Sequence, residues 1–182
     1  MNESDDDRIH ECLIEGFVIV DKDFHRIKVK SVIYSILHYL INNGDFEKLK
    51  LIKLIIKNKL DVADICIAHP KYAPIISHCF NEYITLRYQT EEALKICRIL
   101  FQKYGVSIKE ISSYISVFPF SAFVFKGLTN NKTFDELLKD FRCPEKVIYR
   151  RIKAYENKNN DYFHMLNDLK QLLFNLRKED EK

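Results

Sequence analysis

From Ser31 onward the apolar positions keep helical time. Val32, Ile33, Ile36, Leu37 and Leu40 recur at spacings of one, three and four, the period of a helix that buries one face. Asn42-Asn43-Gly44-Asp45 then interrupts the pattern, with a glycine suited to a helix stop and an aspartate suited to capping the next helix. Phe46, Leu49, Ile52, Ile55 and Ile56 form a second stripe, and Lys48, Lys50, Lys53 and Lys57 fall between them. Two helices joined by so short a break predict an αα-hairpin.

The arrangement then recurs. Pro74 to Tyr83 reads as a helix with proline in its first turn. A turn is expected over Arg87 to Thr90, with Thr90 capping a helix that starts at Glu91-Glu92 and carries Leu94, Cys97, Leu100 and Phe101 to a stop at Gly105. Shifting Glu47–Leu60 by 45 positions onto Glu92–Gly105 aligns Leu49 with Leu94, Lys50 with Lys95, Lys53 with Arg98 and Leu54 with Ile99. A looser third pass starts at Pro119, with Ser121–Leu128 and Phe134–Phe141 as its helices. Self-similarity at this period is the signature of stacked helical hairpins, none of which can bury its apolar face alone.

Residues 1–30 form an N-terminal arm whose first seven residues, Met1 to Asp7, are polar. Within it, β-branched patches on both sides of Asp21-Lys22-Asp23 suit a short hairpin, although a short helix or an extended arm fits the same residues. Residues 142–182 complete the chain as C-terminal helices. The last of them, Asp161 to Lys178, sets Tyr162, Leu166, Leu169, Leu173 and Leu176 at alternating four- and three-residue steps, a seam of about two heptads. That seam either packs on the preceding helices, dimerises or docks into a partner, and the polar stretch Glu156 to Asn160 permits each.

The segments NNGDFEKLKLIKLIIKNKLDV (Asn42–Val62) and TEEALKICRILFQKYGVSI (Thr90–Ile108) are similar to the second helix and exit loop of ankyrin repeats. The resemblance spans about residues 31–141. It implies an all-α fold of stacked antiparallel helical hairpins, closed by a C-terminal helical cap. It also implies a non-catalytic protein-binding role, with contacts on the concave face of fingers and first helices. In this chain those regions correspond to Asp64–Tyr72, Arg87–Gln89 and Lys109–Tyr114. Tyr72, Tyr88 and Tyr114 are the anchor-type side chains there.

Composition narrows the alternatives. Among 182 residues only four are glycine, where average usage would put about thirteen. Four prolines and no tryptophan accompany them. So few turn-formers exclude glycine-lined phosphate loops and argue against sandwiches and barrels. Hydrophobic residues at 47% supply a core. A formal charge of +3 does not by itself point to nucleic acid. Five unpatterned cysteines (Cys12, Cys66, Cys79, Cys97, Cys143) and an acidic opening without a secretory signal suggest an intracellular protein, cytoplasmic or nuclear, with reduced thiols. The longest uncharged run, Ile111–Phe125, contains serines and Pro119 and is shorter than the roughly 20 residues of a membrane span.

One segment carries a competing chemistry. Thr133 can cap a helix bearing Phe134, Leu137, Leu138 and Phe141, Arg142-Cys143-Pro144 makes a break, and Glu145–Tyr155 forms a second helix with Val147, Ile148 and Ile152 inside. This resembles a helix-turn-helix, with Lys146, Tyr149, Arg150 and Lys153 outward and Arg142 and Arg151 near phosphates. Between Arg142 and Lys158 there are six basic and two acidic residues. A DNA-binding regulator is therefore the alternative to the protein-binding module, and against it the same segment reads as a helix pair closing a repeat stack with its solvated basic face outward.

No metal, cofactor or catalytic assignment follows from the motifs. Cys66 and His69 with His78 and Cys79 offer zinc-ligand residue types, but adjacent His78 and Cys79 project about 100° apart on a helix. His10 and Cys12 project to different faces in any regular structure, and no nucleophile elbow, metalloprotease or Walker pattern occurs. A Lys-, Asn- and Ile-rich divergent repeat also suits an accessory protein that acts on host proteins.

Overall fold

The computed structural model describes residues 15–42, 45–57, 62–116, 118, 120–156 and 161–180. Residues 1–14, 43–44, 58–61, 117, 119, 157–160 and 181–182 lie outside the described residues, and with them the break expected at Asn43-Gly44 and the polar hinge expected at 157–160. Contacts divide the chain into two compact units, Met1–Asn81 and Glu82–Lys182.

In the N-terminal unit, strands β1 (Gly16–Val20) and β2 (Arg26–Lys30) pair antiparallel, with Phe17 opposite Val29 and Ile19 opposite Ile27. Of the three conformations that suit the arm sequence, the hairpin is the one adopted. Its turn is built by Asp21, whose carboxylate accepts from the backbone N–H groups of Asp23 at 2.8 Å and His25 at 2.9 Å. Phe24 takes a left-handed φ of 61°, as a tight reversal demands of one of its residues.

Helix α1 (Val32–Leu40) is capped by Ser31, whose Oγ accepts from Tyr34 N–H. A two-residue ladder, β3 (Ile41–Asn42) with β4 (Asp45–Phe46), reverses the chain into α2 (Lys48–Ile56), and α1 packs against α2 and α3 (Val62–Ala68). Leu37, Leu40, Leu51, Ile52, Ile55, Ile65 and Ile76 are buried in this unit.

Helix α4 runs Ala73–Gln102 without interruption; its residues through Asn81 belong to the first unit and the rest to the second. The turn expected at Arg87–Thr90 does not form. Nothing between Pro74 and Gly105 breaks a helix, and two interactions carry α4 across the expected break. Arg87 Nε pairs with Glu91 one turn on, and the buried Thr90 hydroxyl donates to Leu86 C=O at 2.7 Å instead of capping. Gly105, at φ 65°, closes the helix end and Val106 N–H returns to Leu100 C=O.

In the second unit α5 (Ile108–Ile115) is capped by Ser107. Helix α6 (Ser121–Asn130) packs on α7 (Phe134–Lys139), followed by α8 (Pro144–Glu156) and α9 (Asp161–Asp180), and α9 packs against α5. Thr133 and Glu136 form a reciprocal capping box at the start of α7. Phe120, Phe123 and Phe134 make mutual ring contacts of 5.3–6.1 Å at the centre. Arg98, reaching from α4, donates to the carbonyls of Gly127 and Lys132 where α6 ends. The fold is thus predominantly helical, with one small hairpin.

Candidate functional site

The three tyrosines chosen from the sequence fall in different settings. Tyr72 sits in the turn before α4, half-buried, its ring stacked on Phe46 at 5.6 Å and its N–H donating to His69 C=O. Tyr114 is half-buried on α5. Tyr88 is 59% exposed on α4. The loops expected to carry contacts are largely helix: Asp64 lies in α3, Arg87–Gln89 in the middle of α4, and Lys109–Tyr114 in α5. Tyr72 belongs to the first unit, Tyr88 and Tyr114 to the second.

Around Tyr88 the helix displays more than one apolar side chain. Ile84, one turn earlier, is 43% exposed, and Glu91 and Lys95 continue the same face outward. On the neighbouring face Arg87 is held by Glu91 and by Asp135 of α7 at 2.6 Å, and these partners raise its already high pKa against the opposing effect of burial. Ile84 escaped the sequence reading because an isolated isoleucine beside buried Tyr83 gives no separate signal.

The basic segment presents a stripe. Lys146, Arg150 and Lys153 are exposed on α8, Arg142 is exposed before it, and Tyr149 and Arg151 are half-buried, while Ile148 and Ile152 are buried. Lys153 Nζ lies 4.9 Å from the Tyr149 ring centre. Leu138 is buried, and α7 takes α6 as its packing neighbour through Gly127 and Leu137.

Among the described residues Cys66 and Cys79 join no group of three metal-ligand side chains. The Cys66 thiol faces Ser77 Oγ at 3.5 Å, and Cys79 is buried. Among the described residues the one group with metal-ligand proximity is Asp21, Asp23 and His25 at the hairpin turn. Its geometry is accounted for by the turn, since Asp21 also bonds His25 Nδ1 at 2.8 Å, which holds the Asp21 carboxyl below its usual range. A cavity of about 280 Å³ in the first unit is lined by Tyr34, Leu37, His38, Ile41 and His69. Burial lowers the His69 pKa, so its ring stays neutral near pH 7.

Among the described residues no helix is long and apolar enough to cross a membrane. No family model matches the chain, and neither a curated protein nor a solved structure matches it.

Proposed function

We propose that this chain is a non-catalytic protein-interaction module of the helical-repeat type. The observation that carries the reading is the display of Tyr88 and Ile84 on successive turns of α4, where an aromatic and a branched side chain stand in solvent on the same face as exposed Glu91 and Lys95. Tyrosine on a rigid element is a preferred interface anchor, because it covers a large area at small entropic cost. The kinship to ankyrin repeats draws support from the leucine- and isoleucine-rich α2 following α1 across a tight reversal. The unbroken α4 stands where a second such pair was expected.

The test is crosslinking of partners to the tagged chain, followed by reconstitution of each recovered partner from purified components. Tyr88→Ala should weaken the reconstituted complex by about 30-fold, the value of a central aromatic anchor near 2 kcal/mol, and Lys95→Ala should change it little. A reconstituted complex indifferent to both Tyr88→Ala and Ile84→Ala rejects this surface.

A second reading draws on the exposed stripe of Lys146, Arg150 and Lys153 on α8: a DNA-binding regulator using the α7–α8 segment. It is separated by titrating duplex DNA across salt with the wild type and an Arg150→Ala/Arg151→Ala variant. Binding that falls steeply with salt and weakens in the variant favours this reading, and no binding at about 50 mM salt removes it.

A further inference from the structure

The register of the β1–β2 ladder sorts its side chains into two unlike faces. Phe17 lies opposite Val29 and Ile19 opposite Ile27, and because side chains alternate along a strand these four share one face. Val18, Val20, Arg26, Lys28 and Lys30 share the other. These four side chains are uncharged, with the Asp21–His25 pair following them at the turn, yet Phe17, Ile19, Ile27 and Val29 remain 62%, 57%, 65% and 45% exposed. A two-stranded hairpin with an uncovered apolar face is marginal in water. It gains most from a second layer about 10 Å away.

We propose that the second layer is the same face of another copy of this chain, two hairpins packing face to face about a two-fold axis. Three features favour that occupant. A two-fold axis brings like against like, and the four apolar side chains can meet their counterparts without bringing cations together, because Arg26, Lys28 and Lys30 all lie on the far side and Asp21 is already paired with His25 at the turn. Those far-side cations are already engaged in part, Lys28 by Glu15 and Lys30 over the Tyr34 ring, so they do not call for an anionic occupant. At the tip, the 81% exposed Phe24 is preceded by Asp21 and Asp23, which oppose an anionic lipid surface.

Area sets the strength. Counting about 200 Å² for a whole phenylalanine and scaling the other side chains, the face offers roughly 400 Å² per copy. Two copies bury about 800 Å², below the 1,200–2,000 Å² of stable complexes. The association is therefore of the weak, reversible class.

This surface is separate from Tyr88 on α4, so its test stands independently. Sedimentation velocity on the full chain from about 5 to 500 µM should show the mass rising from 21.7 kDa toward twice that value. Ile27→Lys should keep the chain monomeric, whereas Val18→Lys, on the far face, should leave the rise in place. Mixing Ile27→Lys with Ile27→Glu should restore a dimer that neither variant forms alone, a rescue that simple loss of the hairpin could not produce. A wild-type chain that stays monomeric at the highest concentration overturns the proposal. So does a rise that Ile27→Lys leaves intact, which assigns self-association to another surface such as α9. A mixture that remains monomeric overturns it as well.

Discussion

Gly127 marks the closest approach in the C-terminal unit, and Gly127→Ala is the change whose sign the structure decides. A Cβ built there would lie 3.0 Å from both terminal methyls of Leu94 and 3.1 Å from one methyl of Leu137. Ordinary carbon–carbon contacts sit at roughly 3.5–4.0 Å, so at least two side chains must retreat by about half an ångström. Both are buried, Leu94 at 3% and Leu137 at 0% exposed, so they must retreat into the packed interior and not into solvent.

Helix propensity alone would make alanine about 1 kcal/mol better than glycine inside α6. Forcing an extra carbon into a filled core costs about 1–3 kcal/mol. The balance is a loss of about 1 kcal/mol for Gly127→Ala. For Gly127→Val, which adds two more methyls and β-branching, the loss is about 3 kcal/mol. Urea unfolding followed by circular dichroism reads this directly. With a slope of about 2 kcal/mol per molar, the alanine variant should lose about 0.5 M in midpoint. The cycle with Leu94→Ala supplies the coupling: once the leucine methyls are gone, Gly127→Ala should become neutral or stabilising. A Gly127→Ala variant that gains the full propensity benefit in the wild-type background would show that α4, α6 and α7 do not approach this closely.

Removing the α7 cap by Thr133→Ala should cost about 1 kcal/mol in the same assay. The Thr133 backbone N–H and then its hydroxyl hold the Glu136 carboxyl below its ordinary 4.5, and Lys132, then Lys126, hold Asp140 below its ordinary 3.8. Because both titrate lower in the folded chain, their stabilisation is complete above those ordinary values and is lost as pH falls through and below them. Urea midpoints should therefore drop between about pH 6 and pH 3, and Glu136→Gln should flatten part of that drop. Burial pushes the Cys97 thiol up to about 12, so alkylation of the native chain near pH 8, mapped by mass spectrometry, should leave Cys97 unlabelled until denaturant is added. Labelling of native Cys97 at the rate of half-buried Cys66 would contradict its burial.

The helical character of this chain was legible because it rests on local rules. The stripes Val32–Leu40 and Leu49–Ile56 declare their period within ten residues, and Thr133 announces a helix start through a side chain that reaches only three positions. The hairpin was legible only as one of several options, since alternating Val and Ile around Asp21-Lys22-Asp23 suits any extended arm. Its pairing register, and with it the separation of an apolar face from a basic one, depends on hydrogen bonds between positions up to sixteen apart.

The course of α4 shows where local reasoning stops. Thr90 followed by two glutamates carries every mark of a helix start, yet the same residues propagate a helix when Arg87 finds Glu91 and Asp135 and the threonine hydroxyl can turn back to Leu86. The choice between capping and continuing is small in local energy, so packing decides it. The same applies to which tyrosines stay in solvent. Tyr72, Tyr83 and Tyr88 are alike in the sequence, and only the placement of Phe46 against Tyr72 and the burial of Tyr83 beside an exposed Tyr88 tells them apart. Periodicity determined that helices form and roughly where. Which faces stay uncovered was decided by three-dimensional packing, because exposure is a property of neighbours distant along the chain.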